Sequence, residues 1–586
     1  MLYFPIIVSI FSLLFVFFLV KQIQTRTKLS QVIKQGAAAF LKRQYRIVAI
    51  VAIPLFFILW FIFGFKSGFA FLLGAVATAT AGFVGMTVSL QSNLKVAEGA
   101  AKAGFKKSLE IFFKSGSVAG LSVVGSGLLT VSIFYLLTSD LKALIFLGLG
   151  GSLISVFARI GKGIFAKAVD VGLDPVSKTE EGILKNDAGN STIIANQIGE
   201  DISGCFSMAA DLFETYVVTL ISAMILAGTL FSADSLLVFL PILLGATGIL
   251  SSIIGSFFVS LGKKQNIMAA VYKGLAVSVL LAAVGFYPPI KKIASLSSFS
   301  VSGSNIYLAS FVGLVILVAI FMITEHFTSK KHKPVKKIAS ASQNGQASNI
   351  IVGLEMAIQA TILPGILISS GILASFWLTG IYGVALAAVA MVSLAGIMVS
   401  IYNLGDTAKS LTNSYGIISA GLASLVLFFN FSQELIISGS KLSFFLNDPK
   451  VIAGLFLGSL LCYFFISLVT TAVSLKQTLV LGLILVLFPI AVGFVLGPLV
   501  LAGALVGSIL TGLFLGISMI LGGTVWSNAR KYIEEGNYGG KDSFAHQAAV
   551  IGEAVANPYK DTIGPSIGSL IKVVNIVALL IVSFLV

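Results

Sequence analysis

Apolar runs of roughly 18 to 25 residues recur along this chain, separated by short polar connections rich in lysine and arginine. About sixteen of them are long enough to cross a bilayer as helices. They begin near residues 4, 45, 68, 118, 141, 208, 235, 266, 305, 350, 380, 412, 451, 478, 498 and 564. The pattern predicts an all-α polytopic membrane protein with a single integral membrane domain over residues 1–586. The first run, MLYFPIIVSIFSLLFVFFLV, has no basic residue before its apolar core and no small-residue cleavage site, so a retained first span is expected. The odd-to-even connections, including QSNLKVAEGAAKAGFKK, LGKKQ and TSKKHKPVKKIAS, hold most of the basic residues. That bias predicts that they face the cytoplasm, with both termini outside.

Three segments break the apolar pattern with polar side chains at helical spacing. In residues 159–216, Lys167, Asp170, Asp174 and Lys178 fall in one stripe. Asn196, Glu200 and Asp211 form a second stripe, with Gly204 in register where another polar side chain is expected. In residues 527–572, Asn557, Asp561 and Lys572 share a stripe that Pro558 and Pro565 disturb, and Ser527, Arg530 and Lys531 end the preceding helix. The third segment, YNLGDTAKSLTNSYG at 402–416, lies between spans eleven and twelve. Polar stripes on otherwise apolar helices are costly, so the three are expected to face one another at the cytoplasmic side around a ligand or water. The plain alternatives are a solvated juxtamembrane face for 170–178 and orienting charges for Arg530, Lys531 and Lys560.

Composition sharpens the class. At 57% hydrophobic and 10% charged, the chain could not clothe a soluble surface. The formal charge of +15 would suit nucleic acid, but the basic residues sit in the short loops of a membrane protein, so no nucleic-acid partner is expected. Cys205 and Cys462 support neither a disulfide framework nor a zinc site, and His326, His332 and His546 lack metal-ligand spacing. GNYGGK lacks the glycine spacing and the Lys-Ser/Thr ending of a Walker loop.

The stretches DVGLDPVSKTE at 170–180, IGEDISGCFSMAADLFETY, NARKYIE at 528–534 and NPYKDTIGPS at 557–566 resemble the signature regions of membrane-integral pyrophosphatases, the pyrophosphate-energised proton or sodium pumps. QGAAAFLKRQYR at 35–46, GFVGMTVSL at 82–90 and FWLTGIYGVALAAV at 376–389 extend the likeness over nearly the whole chain. The resemblance implies six inner helices ringed by ten outer ones, in a homodimer. It also implies magnesium ions held by carboxylates around pyrophosphate, with basic residues on the anion's oxygens. On that basis Asp170, Asp174, Glu200 and Glu553 are candidate metal ligands. Lys167, Lys178, Arg530, Lys531, Lys560 and Lys572 are candidate anion contacts, and Asp561 occupies a water-activating position. Arg159, Asp211, Glu214 and Lys572 match the family's ionic gate, and DLFETY resembles the proton-pumping, potassium-independent branch.

The departures gather in one place. Against the family pattern of aspartates stand Asn196, Glu200 and Gly204, and Gly204 replaces the second water-activating aspartate. Lys185 holds a loop glutamate position, Lys409 an aspartate position, and Ser527, Glu553 and Asn557 three further aspartate positions; Gly568 replaces an asparagine. The basic half of the site survives and the acidic half is thinned, so multiple magnesium ions are expected to be poorly held. Losing such metals and a carboxylate removes effects worth several kcal/mol each, where roughly 1.4 kcal/mol is tenfold in rate. The expectation is therefore a pyrophosphate-energised proton pump, less expectedly a sodium pump, with altered hydrolysis. The alternative is a non-hydrolytic protein that binds a phosphate-like anion as sensor, channel or dimer partner. A secondary transporter fits less well, because its site would lie near the midplane.

Overall fold

The structure, a computed structural model, describes residues 3–23, 28–179, 203–232, 235–262, 265–296, 302–437, 444–472, 474 and 476–585. The side chains of residues 28–37, 93–94, 97–103, 105 and 167–179 lie outside that description. Among the described residues there is no strand, and sixteen helical spans are long and apolar enough to cross a membrane. They are α1 (Tyr3–Ile23), α2 (Ala38–Phe63), α3 (Phe65–Ser92), α4 (Lys106–Thr138), α5 (Leu141–Ala166), α6 (Ser203–Phe231), α7 (Leu236–Ser256) and α8 (Ile267–Leu296). The second half holds α9 (Gly303–Asn344), α10 (Gln346–Thr379), α11 (Ile381–Ser400), α12 (Asp406–Ile437), α13 (Pro449–Thr471), α14 (Gln477–Leu496), α15 (Pro498–Glu534) and α16 (Phe544–Phe584). The all-α polytopic fold follows from the apolar runs, since in hydrocarbon each backbone amide needs a partner within its own segment.

Most spans begin within a few residues of where hydropathy puts them. Three begin well before their apolar runs: α2 at 38 rather than 45, α4 at 106 rather than 118, and α16 at 544 rather than 564. Each starts as a helix with polar positions before its apolar stretch. The start of α16 is fixed by Ser543, whose hydroxyl accepts the His546 amide at 3.2 Å. The helix then runs to Pro558, passes through a π turn at Tyr559–Ile563 and continues as Gly564–Ile581. That widened turn absorbs the two prolines without ending the span.

Burial grades the spans. The apolar window of α11 is 100% buried, α5 94%, α6 89%, and α12 and α16 83% each, against 17% for α2. The helices that carry the polar stripes are thus among the most enclosed. α16 packs against α5, α12 and α15. Missing side chains let α5 lie close to α3: a Cβ at Gly74 would stand 2.0 Å from the Leu147 carbonyl oxygen, and one at Gly150 2.0 Å from that of Phe71.

Candidate functional site

Deep in the bundle, four ionisable groups from three helices meet. Arg159 of α5 donates to Asp211 of α6, Nη2 to Oδ2 at 2.6 Å. Lys572 of α16 reaches Asp211 Oδ1 at 3.0 Å and Glu214 Oε2 at 2.7 Å, and donates to Thr215 Oγ1 at 2.7 Å. Ser152 donates to Glu214 Oε1 at 2.5 Å. All four charged residues are buried. Two cations against two carboxylates balance, which is the condition for keeping such charges away from water.

A second cluster centres on Asp561, in the π turn of α16. Its Oδ1 lies 3.1 Å from Lys409 Nζ of α12 and 3.6 Å from Lys162 Nζ of α5, and its Oδ2 lies 3.9 Å from Lys560 Nζ. Lys560 also donates to the Ser527 hydroxyl. Gly163 permits this meeting: a Cβ there would lie 2.0 Å from Thr562 Cγ2, so only the bare glycine lets α16 settle on α5 beside Lys162. Close by, Lys531 Nζ meets Asp406 Oδ2 at 2.5 Å. Arg530 is held between Glu553, Nε to Oε2 at 2.5 Å, and Glu534, Nη1 to Oε1 at 3.1 Å.

One face of α5 joins the two clusters. Ser152, Ser155, Arg159 and Lys162 recur at intervals of three and four, so they line a single stripe about 15 Å long. From one end to the other they touch Glu214, Asp211, Asp211 again and Asp561. The polar file is continuous through the buried part of the bundle.

Gly204 lies against this file. A Cβ there would stand 3.1 Å from the Tyr402 hydroxyl oxygen, 3.6 Å from its ring and 3.8 Å from Lys162 Cε. A side chain at position 204 would press on the Tyr402 phenol, which would have to give by a few tenths of an ångström. Tyr402 is buried, and Lys409 Nζ sits 5.9 Å from its ring centroid.

Among the candidate residues, the structure brings together Arg159, Asp211, Glu214 and Lys572 in one cluster, and Asp561 with Lys560 in the other. Lys572 lies with the gate residues rather than beside Asp561. Arg530 and Glu553, read as an anion contact and a metal ligand, pair with each other. Lys531 pairs with Asp406. Glu200 falls outside the described residues, as do the side chains of Lys167, Asp170, Asp174 and Lys178 on the helix that continues α5 to Thr179. Two residues were not picked out from the sequence. Lys162 was legible as a lysine one turn beyond Arg159 in an apolar helix, which is itself a signal. Tyr402 carried no such mark.

Three matched stretches of the chain, residues 6–405, 400–474 and 468–581, fit the model of the inorganic H+ pyrophosphatase family. The chain belongs to that family. It is 36% identical, over 94% of its length and 93% of the relative's, to a K(+)-insensitive pyrophosphate-energized proton pump of Methanosarcina mazei. It is 33% identical to a protein of the same description, numbered 2, from Moorella thermoacetica, over 96% of this chain and 95% of that one. It is also 32% identical to a putative K(+)-stimulated pyrophosphate-energized sodium pump of Clostridium tetani, over 98% and 96% of the two chains.

Of the candidate magnesium ligands Asp170, Asp174, Glu200 and Glu553, the first three lie outside the described side chains. Among the described residues, no three His, Cys, Asp or Glu side chains converge as a metal group would need. Asp561, Asp406 and Glu553 each face ammonium or guanidinium groups instead. Divalent ions want several oxygen ligands together, and here those oxygens are already matched by protein cations.

Proposed function

We propose that this chain is a pyrophosphate-energised proton pump whose phosphate-handling site departs from the family pattern, with hydrolysis altered accordingly. The observation that carries the reading is the buried, charge-balanced cluster of Arg159, Asp211, Glu214 and Lys572, joined by the α5 stripe to the cationic pocket around Asp561. A proton arriving at Glu214 would release Lys572 from one of its two carboxylates and leave Asp211 with both cations. Two discrete arrangements of the same four groups are what a gate requires. Full-length similarity to proteins named proton pumps supports the same reading, and sodium is the less expected ion.

In the pocket, Asp561 is the group positioned to accept a proton from an attacking water, while Lys162, Lys409 and Lys560 would face the anion's oxygens. The same ammonium groups compete with water for the carboxylate, which favours slow turnover. The basic bias of the odd-to-even connections supports a cytoplasmic site with both termini outside, and the family resemblance supports a homodimer with six inner and ten outer helices. The second reading, a non-hydrolytic binder of phosphate-like anions, is favoured by the three lysines on Asp561.

Phosphate release from pyrophosphate by purified protein, followed across magnesium concentration, separates the two. The pump reading expects release that Asp561→Ala abolishes. No release from wild-type protein, with saturable anion binding, would support the second reading and sink the first.

A further inference from the structure

Away from the charged clusters, the last turns of α1, the first turns of α4 and the chain just past α7 part around a cavity of about 400 Å³. Its two ends differ in kind. At the deep end Ser12 donates to the Leu121 carbonyl at 3.2 Å and draws α1 onto α4. There Phe15 meets Phe257 edge to face, with ring centroids 5.7 Å apart, and both line the cavity with Phe18. Phe18 and Phe257 are exposed, so these walls reach the surface that lipid tails cover. Toward the other end α1 finishes, and Lys114 Nζ of α4 donates to Gln22 Oε1 at 3.2 Å. Lys106, two turns earlier on α4, lines the cavity beyond that bond.

That polar end is cationic. Glu110 is shared by Lys107 at 3.2 Å and Lys114 at 2.9 Å, and among the described residues Lys106 meets no carboxylate. Lys95 Nζ adds another ammonium group, 2.6 Å from the Gln22 carbonyl oxygen. The sequence gives the same sign however these groups pair. Residues 21–46, 91–114 and 257–273 hold fifteen lysines and arginines against Glu98 and Glu110. Orienting charges alone would produce a basic loop, but not an aromatic cleft between spans that ends in ammonium groups. A cleft of that kind at a bilayer's edge matches a molecule with hydrocarbon at one end and a phosphate at the other.

We propose that this groove is a site for one anionic phospholipid, with an acyl chain against Phe15, Phe18 and Phe257 and the phosphate toward Lys106 and Lys114. A neutral lipid would leave the ammonium groups without an anion, and a free phosphate would leave the aromatic walls uncovered. The site also bears on the interior of the bundle. α4 seats α11 through two glycines: a Cβ at Gly116 would stand 2.0 Å from the Ser400 carbonyl oxygen, and one at Gly120 2.0 Å from that of Gly396. α11 leads directly into residues 402–406. A lipid in the groove therefore steadies the helix on which that segment rests.

The test is native mass spectrometry of the full-length protein in detergent, titrated separately with phosphatidylglycerol and phosphatidylcholine of identical chains. One phosphatidylglycerol per chain is expected to bind about tenfold tighter than phosphatidylcholine, and inorganic phosphate should not displace it. The double variant Lys106→Gln/Lys114→Gln should lose that preference. Phe257→Ala, at an exposed wall, should weaken lipid binding while its melting temperature stays near wild type. Lys291→Gln/Lys292→Gln removes the same charge from exposed lysines late in α8 and should bind as wild type does. Equal affinity for the two lipids, equal loss in both lysine pairs, or displacement by inorganic phosphate would overturn the site. So would lipid binding that Phe257→Ala leaves unchanged, and loss of a dimer in that variant would give the groove to a second copy instead.

Discussion

Lys409 Nζ stands 3.1 Å from Asp561 Oδ1 and ties the first turn of α12 to the π turn of α16. On the family resemblance proposed for this position an aspartate would stand here, and the lysine would then make an ion pair of what would be two carboxylates. Replacing Lys409 by aspartate should reverse that conversion. Lys409→Asp is expected to tighten manganese binding about tenfold or more, read by electron paramagnetic resonance of the purified protein, whereas Lys409→Gln should not. Equal manganese affinity in all three proteins would contradict the assignment.

Position 204 should behave differently. Gly204→Asp sets a Cβ 3.1 Å from the Tyr402 hydroxyl oxygen and 3.8 Å from Lys162 Cε, so the phenol must yield by a few tenths of an ångström; the carboxylate is expected to pair with Lys162, to add no metal affinity and to change the stability little. The same resonance titration and a thermal melt in detergent check both halves of that statement.

The buried cluster of the gate gives a stability prediction. Asp211→Ala leaves Arg159 and Lys572 buried without the carboxylate they share, a loss of about 3–5 kcal/mol. Lys572→Met alone should be similarly harmful, and combining it with Glu214→Gln should recover part of the loss, because the acid stranded by the first change is neutralised by the second. Thermal unfolding of the single and double variants in detergent measures the recovery.

Gly163 offers a test that changes no charge. A Cβ would lie 2.0 Å from Thr562 Cγ2, so Gly163→Ala should wedge α5 from α16 at a cost of about 1–3 kcal/mol and draw Lys162 away from Asp561. Thr562→Ala in the same protein removes the clashing methyl and should restore part of the melting temperature. A single variant as stable as wild type would show that the two helices are not packed as described.

The span count was legible because each apolar run is a local property, written in consecutive residues. The start of α16 was not, since Phe544–Pro558 mixes alanine and polar residues with only four larger apolar ones, and Pro558 and Pro565 read as a break, whereas the helix continues through the π turn at 559–563. The gate residues stood out as charges inside apolar helices, although the pairing of Lys572 with Glu214, rather than with Asp561, depends on where α16 crosses α6. Arg530 and Glu553 were read separately as an anion contact and a metal ligand, and nothing in their spacing announced that they meet. Tyr402 was hidden most completely, because its contact with Gly204 joins the turn before α12 to α6, nearly two hundred residues apart in the chain.

The most direct test of the pump itself is lumenal pH in sealed vesicles reconstituted with the protein, recorded with a quenched dye as pyrophosphate is added. Wild-type protein should acidify the lumen in proportion to the pyrophosphate consumed, and Glu214→Gln should lose acidification while still binding pyrophosphate. Consumption with no pH gradient, or a gradient unaffected by Glu214→Gln, would contradict proton transfer through this gate.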